Sequence, residues 1–577
     1  MIIKRTHYSL RFKHFIPLIS YPSINMINSI YNYFFNYNKP LQNHHSNFST
    51  ASQINDYLPS DISSNFNPKL YSLIQQLDSI APRFLINSSD IEILMSPKDF
   101  YSTLKDKIKS SKDRIFLSSL YIGKKQIELI ECLDDALTTN PNLKIYILTD
   151  ALRGTRESPN QPSSASILTT LQKKHDSRID IRMYHTPNLQ GITKNILPKR
   201  LNEGWGLQHM KLYGFDNEII LSGANLSQDY FTNRQDRYYI FKDEKLTNYY
   251  FKIHKVISSI SYKIKYSDTL KQGFKMVWPT TNPTCEPHLN LQRYISDVSY
   301  LIKPILQQNK LSSFEQYNYD NSNFDTLVYP ISQFTPLFPK LQDYSTELPS
   351  ILRILSFLSD SKIKWWFTAG YFNMLPTIQS KLLHASSTGK VITASPKANS
   401  FYKSSGISYY LPMAYLLFAK KFLEEIKKMG KETMITVYEW QNGIVNTING
   451  WSYHAKGIWV SIPNESVPSL TIIGSSNYTK RAYNYDLESN AIVITKNEEL
   501  KQKMKFEIDN LMKYANELTL DDFRPKKQNQ VENDKELDTV VIKETLNDEH
   551  QPKYEIDEDR KISYGVHLAV KLLGGKL

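Results

Sequence analysis

Cysteine is nearly absent: the 577 residues contain two, Cys132 and Cys285. Two thiols build neither a disulfide framework nor the four-ligand set of a structural zinc site, so burial must hold this chain together. Long apolar runs are missing too. No stretch of 18 or more apolar residues occurs, and no bilayer-spanning helix is expected. There is no H-E-x-x-H, no His/Cys cluster at ligand spacing and no G-x-x-x-x-G-K-S/T string, so neither a metal site nor a phosphate loop of the Walker type is expected. The first 55 residues lack acid altogether while carrying Lys4, Arg5, Arg11, Lys13 and Lys39 among Ser, Asn and aromatics. That is the composition of a mitochondrial transit segment. The apolar stretch Phe15 to Ile19 is too short, and too broken by Pro17 and Pro22, for a secretory signal.

What remains is a globular composition, 41% hydrophobic and 22% charged, long enough for two to four domains. A formal charge of +13 suits anionic partners without choosing among lipid surfaces, nucleotides and nucleic acid. The chemistry lies in a repeat. H-M-K-L-Y-G-F-D supplies His209, Lys211 and Asp216; H-A-K-G-I-W supplies His454 and Lys456, 245 residues later (454 minus 209). L-S-G-A-N (Leu221 to Asn225) follows the first copy and I-G-S-S-N (Ile473 to Asn477) the second. Asn225 to Asn477 and Asp236 to Glu488 are both offset by 252 (477 minus 225, 488 minus 236), so two carboxylates hold matching places. A duplicated α/β unit is the simplest account. On a strand, residues i and i+2 share a face, so each His reaches the same cavity as its Lys. Two imidazoles and two ammonium groups converging on one point make a site for an anionic phosphodiester.

These motifs resemble the phospholipase D superfamily, whose signature is H-x-K-x4-D followed by a Gly/Ser-Asn turn, present twice. L-T-D-A-L-R-G-T-R-E (Leu148 to Glu157), G-A-N-L-S-Q-D-Y-F-T-N-R-Q-D-R-Y (Gly223 to Tyr238), T-A-S-P-K-A-N-S-F-Y (Thr393 to Tyr402) and G-W-S-Y-H-A-K-G-I-W (Gly450 to Trp459) resemble the eukaryotic mitochondrial phosphatidylglycerophosphate synthase family within it. The resemblance covers roughly residues 65 to 515. It implies two α/β/α sandwich domains related by a pseudo-twofold axis, with the active site at their interface. It also implies transfer of a phosphatidyl group from CDP-diacylglycerol to glycerol 3-phosphate with release of CMP, without a cofactor. Alternatives are a phospholipase D-type hydrolase, another CDP-diacylglycerol-dependent transferase, a nuclease and a non-catalytic lipid-binding protein. The other class of CDP-alcohol transferases uses an Asp-rich metal motif; this chain has no Asp-Gly pair to begin one.

His209 is assigned as the nucleophile forming a phosphohistidine and His454 as the acid protonating CMP; the opposite assignment stays open. Lys211 and Lys456 would hold the non-bridging oxygens. By resemblance, Asp236 and Glu488 each orient the His of the opposite half, and Asp216 completes the first motif in a mainly supporting role. The second copy has Ser461 where that Asp is expected. Asn225 and Asn477 are candidate amide donors to phosphate, Ser222 and Ser475 small residues allowing its close approach, and Arg153 and Arg156 candidate ligands for the acceptor phosphate or donor diphosphate.

The expected order is a transit segment (1–55), a first domain (66–265), a connector (266–350), a second domain (351–515) and a charged tail (516–577). Ile562 to Leu577 reads as a helix packed on its own domain or touching a membrane. Peripheral contact with the mitochondrial inner membrane is expected, and no nucleic acid partner.

Overall fold

A computed structural model describes residues 66–196, 198–307, 324–524, 526–527, 554–555 and 558–573. The proposed transit segment lies outside them. Two nine-stranded sheets form the frame. The first takes β2 (Ile91–Leu94), β3 (Arg114–Ser118), β4 (Lys144–Asp150), β5 (Ile179–Tyr184), β6 (Leu212–Phe215), β7 (Glu218–Ser222), β9 (Tyr238–Phe241), β10 (Tyr262–Tyr266) and β11 (Phe274–Val277). Their order is β11-β10-β5-β4-β3-β6-β7-β9-β2. Strands β3, β4 and β5 run parallel, and the rest pair antiparallel. Because helices cover both faces, β3 and β4 read as near-continuous apolar runs rather than alternating ones.

The second sheet takes β1 (Phe84–Ile86), β12 (Thr326–Gln333), β13 (Lys364–Ala369), β14 (Thr388–Ala394), β15 (Ile435–Trp440), β17 (Lys456–Ser461), β18 (Leu470–Gly474), β19 (Glu488–Thr495) and β20 (Ala515–Glu517), ordered β1-β12-β19-β18-β17-β13-β14-β15-β20. From β15 through β14, β13, β17, β18 to β19 it repeats the arrangement β5-β4-β3-β6-β7-β9, with the same pattern of parallel and antiparallel pairs. The duplication is therefore one of topology as well as of motif. Two two-residue strands, β8 (Arg234–Gln235) and β16 (Ser452–Tyr453), pair with each other and join the halves.

Several segments cross the boundaries read from sequence order; β11, from the expected connector, pairs with β10 in the first sheet. Residues 66–86, assigned there to the first domain, join the second. The apolar face of helix Tyr71–Asp78 (Leu73, Ile74, Leu77) enters the core that holds Ile351, Ile354 and Trp365, and β1 pairs antiparallel with β12. Strand β12 itself comes from the expected connector, yet it is buried along its whole length between β1 and β19. The tail also contributes structure: helix Tyr564–Leu573 sets Val566 against Ala414 and Leu417 of helix Leu411–Lys428.

Candidate active site

Both histidines lie in extended chain just before an inner strand of their own half, β6 or β17, and each is pinned there by the other half. The His209 amide donates to the Leu487 carbonyl at 2.9 Å, beside the isolated bridge Gln208–Leu487. The His454 amide donates to the Gln235 carbonyl at 2.9 Å, where β16 meets β8. Each imidazole therefore sits beside the residue that precedes the opposite half's carboxylate. Glu488 Oε1 lies 2.9 Å from Nδ1 of His209, and Asp236 Oδ2 lies 2.6 Å from Nδ1 of His454. The contact to Asp236 is a hydrogen bond that favours hydrogen on Nδ1 of His454 and leaves its Nε2 facing the cavity, whereas Glu488 and His209 stand within ion-pair distance without hydrogen-bond alignment. Both rings and Asn225 and Asn477 line one cavity of about 630 Å³.

The lysines stand behind the rings, buried. Lys211 Nζ donates to the His209 carbonyl at 2.6 Å. Lys456 Nζ lies 3.4 Å from Asp236 Oδ2 and 2.5 Å from Nδ1 of His454. Nδ1 can donate to Asp236 or accept from Lys456, one at a time, so the ammonium and the carboxylate compete for it. Gly223 allows this packing, since a Cβ there would come within 2.6 Å of both Asp236 Oδ1 and Lys456 Nζ.

Burial sets the charges. It pushes His209 and His454 well below the usual imidazole range, assisted by Lys211 beside the first and Lys456 beside the second. It brings Lys211 down to about 7 and Lys456 to about 8, against the pull of Glu488 and Asp236 respectively. It also raises Glu488 to about 7 and lifts Asp236. Burial thus favours neutral imidazoles and leaves the two lysine amines ready to take up charge beside an anion.

The expected site residues divide. Arg153 and Arg156 reach the cavity wall, but each carries a carboxylate already: Arg153 Nη1 is 3.2 Å from Glu157, and Arg156 Nη1 is 2.9 Å from Glu203. Arg153 also lies over the Tyr121 ring at 3.8 Å. Ser222 and Ser475 do not line the cavity. The Ser222 hydroxyl donates to the Arg237 carbonyl at 2.7 Å, and that of Ser475 to Glu488 Oε2. Their role is to shape the two turns. Asp216, grouped with the catalytic residues from sequence, belongs to the scaffold. Its carboxylate accepts from the backbone amides of Lys112, Asp113 and Arg114 at 2.8 to 2.9 Å, tying the entrance of β3 to the end of β6. Ser461 occupies the same place in the second half: its hydroxyl accepts from the Lys364 amide at 3.0 Å at the entrance of β13. One hydroxyl thus does a reduced version of the carboxylate's task.

Several residues on the wall were missed. Tyr230 OH lies 3.3 Å from Nε2 of His454 and accepts from the Asn225 amide at 3.1 Å; its counterpart at the same offset is Ala482, so His209 has no equivalent partner. Arg234 pairs with Asp229 at 2.6 Å and Arg481 with Asp486 at 3.1 Å. All four line the cavity. The offset of 252 maps Asp229 onto Arg481 and Arg234 onto Asp486, so an ion pair is kept with its charges exchanged. That offset was available in the sequence and would have found them.

Paired His-Lys motifs on duplicated α/β units, with both imidazoles in one cavity, define a protein of the phospholipase D-like class. A model described as "Cardiolipin synthase, PLD-like domain" matches residues 354–512. A Saccharomyces cerevisiae protein named CDP-diacylglycerol–glycerol-3-phosphate 3-phosphatidyltransferase is 48% identical over 541 residues, covering 92% of this chain and 96% of the relative. The Homo sapiens protein of that name, with the added word mitochondrial, is 30% identical over 457 residues, covering 76% of this chain and 80% of the relative. The crystal structure of phosphatidylserine synthase from Haemophilus influenzae shares the fold, with a TM-score of 0.55 at 18% identity over 78% of this chain and 92% of that one. The chain belongs to the CDP-diacylglycerol–glycerol-3-phosphate 3-phosphatidyltransferase family.

Proposed function

We propose that this chain moves the phosphatidyl group of CDP-diacylglycerol to sn-glycerol 3-phosphate, giving phosphatidylglycerophosphate and CMP, on the route to phosphatidylglycerol and cardiolipin. The observation that carries the reading is the crossed pair of His–carboxylate contacts at one cavity. Nε2 of His209 attacks the phosphatidyl phosphorus, the P–O bond to CMP breaks, and His454 gives its proton to the departing oxygen. His454 then takes the proton of an acceptor hydroxyl, whose oxygen attacks the phosphohistidine as the P–N bond breaks. The diphosphate's charge is what raises His454 enough to carry that proton. Lys211 and Lys456 take up the charge that grows on the non-bridging oxygens. Neutral His209, backed by Glu488, has the lone pair the first step needs, and it lacks the hydroxyl contact that Tyr230 makes to His454.

The place of work in this reading is the mitochondrion, in peripheral contact with the inner membrane. The human relative's name supports the compartment. Among the described residues no helix is long and apolar enough to cross a membrane. The test is purified protein with labelled CDP-diacylglycerol, with and without glycerol 3-phosphate. CMP release that requires glycerol 3-phosphate and survives EDTA supports the reading. Release with water alone overturns it in favour of hydrolysis.

A further inference from the structure

The mouth of the catalytic cavity is rimmed by three segments distant in sequence. Helix Lys199–Asn202 contributes Arg200 and Leu201 to the cavity wall, and the turn before helix Leu411–Lys428 contributes Ser404 and Ser408. Arg200 lies over the Phe401 ring at 5.7 Å and so joins the two. The third segment is the C-terminal helix Tyr564–Leu573. It is held to this rim by Val566 against Ala414 and Leu417 and, just before it, by Asp559, which accepts from Tyr402 OH at 2.9 Å and lies 3.1 Å from Lys397 Nζ.

This rim presents apolar side chains to solvent. Ile196 is 73% exposed, Tyr409 57%, Tyr564 84% and Leu568 46%. The helix Tyr564–Leu573 has two apolar sides: Val566 and Ala569 are buried, whereas Tyr564 and Leu568 face outward. Around them stand exposed Lys194, Arg200, Lys403, Lys561 and Lys571. Two acids of these segments are occupied, Glu203 by Arg156 and Asp559 by Lys397, while Glu286 draws on Lys194. Exposed apolar tips accompanied by exposed cations match the surface of an anionic bilayer, with the tips at acyl depth and the cations at the headgroups.

We infer that the rim formed by Ile196, Tyr409, Tyr564 and Leu568 is the face on which the enzyme sits on an anionic phospholipid surface, with the C-terminal helix as part of the anchor. The inference rests on the proposed transferase reading for its purpose: a donor with two acyl chains need only lift its headgroup into a cavity that opens at the membrane. It explains why a helix at the far end of the chain packs beside the catalytic mouth. A second copy of this chain is the competing occupant.

The test uses the full chain and the triple variant Tyr409→Asp/Tyr564→Asp/Leu568→Asp, none of whose positions lines the cavity. Flotation with vesicles of phosphatidylcholine and phosphatidylglycerol in equal parts should fall about tenfold or more. Activity on CDP-diacylglycerol in those vesicles should fall with it, while activity on a short-chain, monomerically dispersed CDP-diacylglycerol stays unchanged and reports intact folding. A milder pair, Lys403→Glu/Lys561→Glu, should weaken flotation on these vesicles and not on pure phosphatidylcholine. Flotation of both variants equal to wild type overturns the inference, as does a change in sedimenting mass with flotation unaltered, which assigns the face to a second copy. A wild type that floats but releases CMP from neither substrate overturns the transferase reading and leaves the docking face standing.

Discussion

Glu488 Oε1 lies 2.9 Å from Nδ1 of His209, so the second half's carboxylate stands within ion-pair distance of the first half's imidazole. Asp236 returns the relationship to His454 at 2.6 Å. In the proposed mechanism neither half is a complete catalyst, and the two crossed contacts should separate the two chemical roles. With radiolabelled donor and no acceptor, acid-labile label should accumulate on wild type and vanish in His209→Ala. His454→Ala should lose about 10² to 10⁴ in turnover while its His209 remains able to be labelled. Label lost in His454→Ala and kept in His209→Ala reverses the roles.

The carboxylates should follow their partners across the interface. Glu488→Gln should slow formation of the labelled enzyme, because Nδ1–H loses the charge that stabilises the developing cation. Asp236→Asn should leave labelling comparatively intact and slow transfer to the acceptor. Rapid-quench measurement of the two half-reactions distinguishes them. Equal effects of both variants on both steps would mean the pairs act as one unit.

Much of this arrangement was legible in the sequence. The duplicated frame followed from the repeat, because apolar strand runs and small-residue turns recur at one offset. The residues at the crossed contacts could be named from the offset of 252, though the crossing itself came from the family resemblance. What stayed hidden depended on space rather than order. A lone strand such as Phe84–Ile86 has the same pattern whichever sheet it joins, and it joins the second. Asp216 shares its motif with His209 but, at φ 48° on the turn after β6, spends its oxygens on three amides. The hydroxyls of Ser222 and Ser475 are likewise committed to the protein. Tyr230 has no counterpart across the repeat, so duplication could not point to it.

That division gives a prediction about Asp216. Asp216→Ala leaves three backbone amides without their acceptor and should cost about 2 to 3 kcal/mol of stability, read by denaturant unfolding. Turnover below the melting range should stay near wild type. Ser461→Asp should destabilise, since a carboxylate can accept from the Lys364 amide but not donate to the Lys364 carbonyl as the buried hydroxyl does. A large loss of kcat in a folded Asp216→Ala protein would return Asp216 to the catalytic set.

Arg237 should matter more for folding than for chemistry. Fully buried, it makes two bonds to Glu507, at 2.8 and 3.0 Å, and donates to the Ile472 carbonyl of the other half. Arg237→Met strands the Glu507 charge and should destabilise by about 3 to 5 kcal/mol. Arg237→Met with Glu507→Gln should recover part of that loss. A thermal or denaturant unfolding series on the single and double variants measures it.

Tyr230 tests the difference between the two imidazoles. With Nδ1 donating to Asp236, the Tyr230 hydroxyl donates to Nε2 and favours the neutral ring. Tyr230→Phe removes that donor, so the His454 pKa should rise by up to about one unit, as the loss of one ordinary hydrogen bond allows. The limb of the kcat/KM profile assigned to His454 should move to higher pH, whereas Tyr230→Phe in a His454→Ala background should produce no such movement. An unmoved profile would assign Tyr230 to packing alone.

Anion binding should carry a pH signature set by the lysines. Burial brings Lys211 down to about 7 and Lys456 to about 8, both far below a free lysine. An unfolded chain binds more protons than the folded one between those values and about 10.4, so these two groups make the protein gain stability as pH rises through that window. A bound diphosphate reverses the preference, because it favours the ammonium forms. Binding of CDP should therefore take up protons near pH 8 and weaken as pH climbs beyond it, by up to about tenfold per unit for each lysine that must be recharged. Calorimetry in two buffers of different ionisation enthalpy reads the proton count directly. In Lys211→Met the uptake should shrink and the remaining dependence should centre on Lys456; uptake unchanged in that variant would mean the protons go elsewhere.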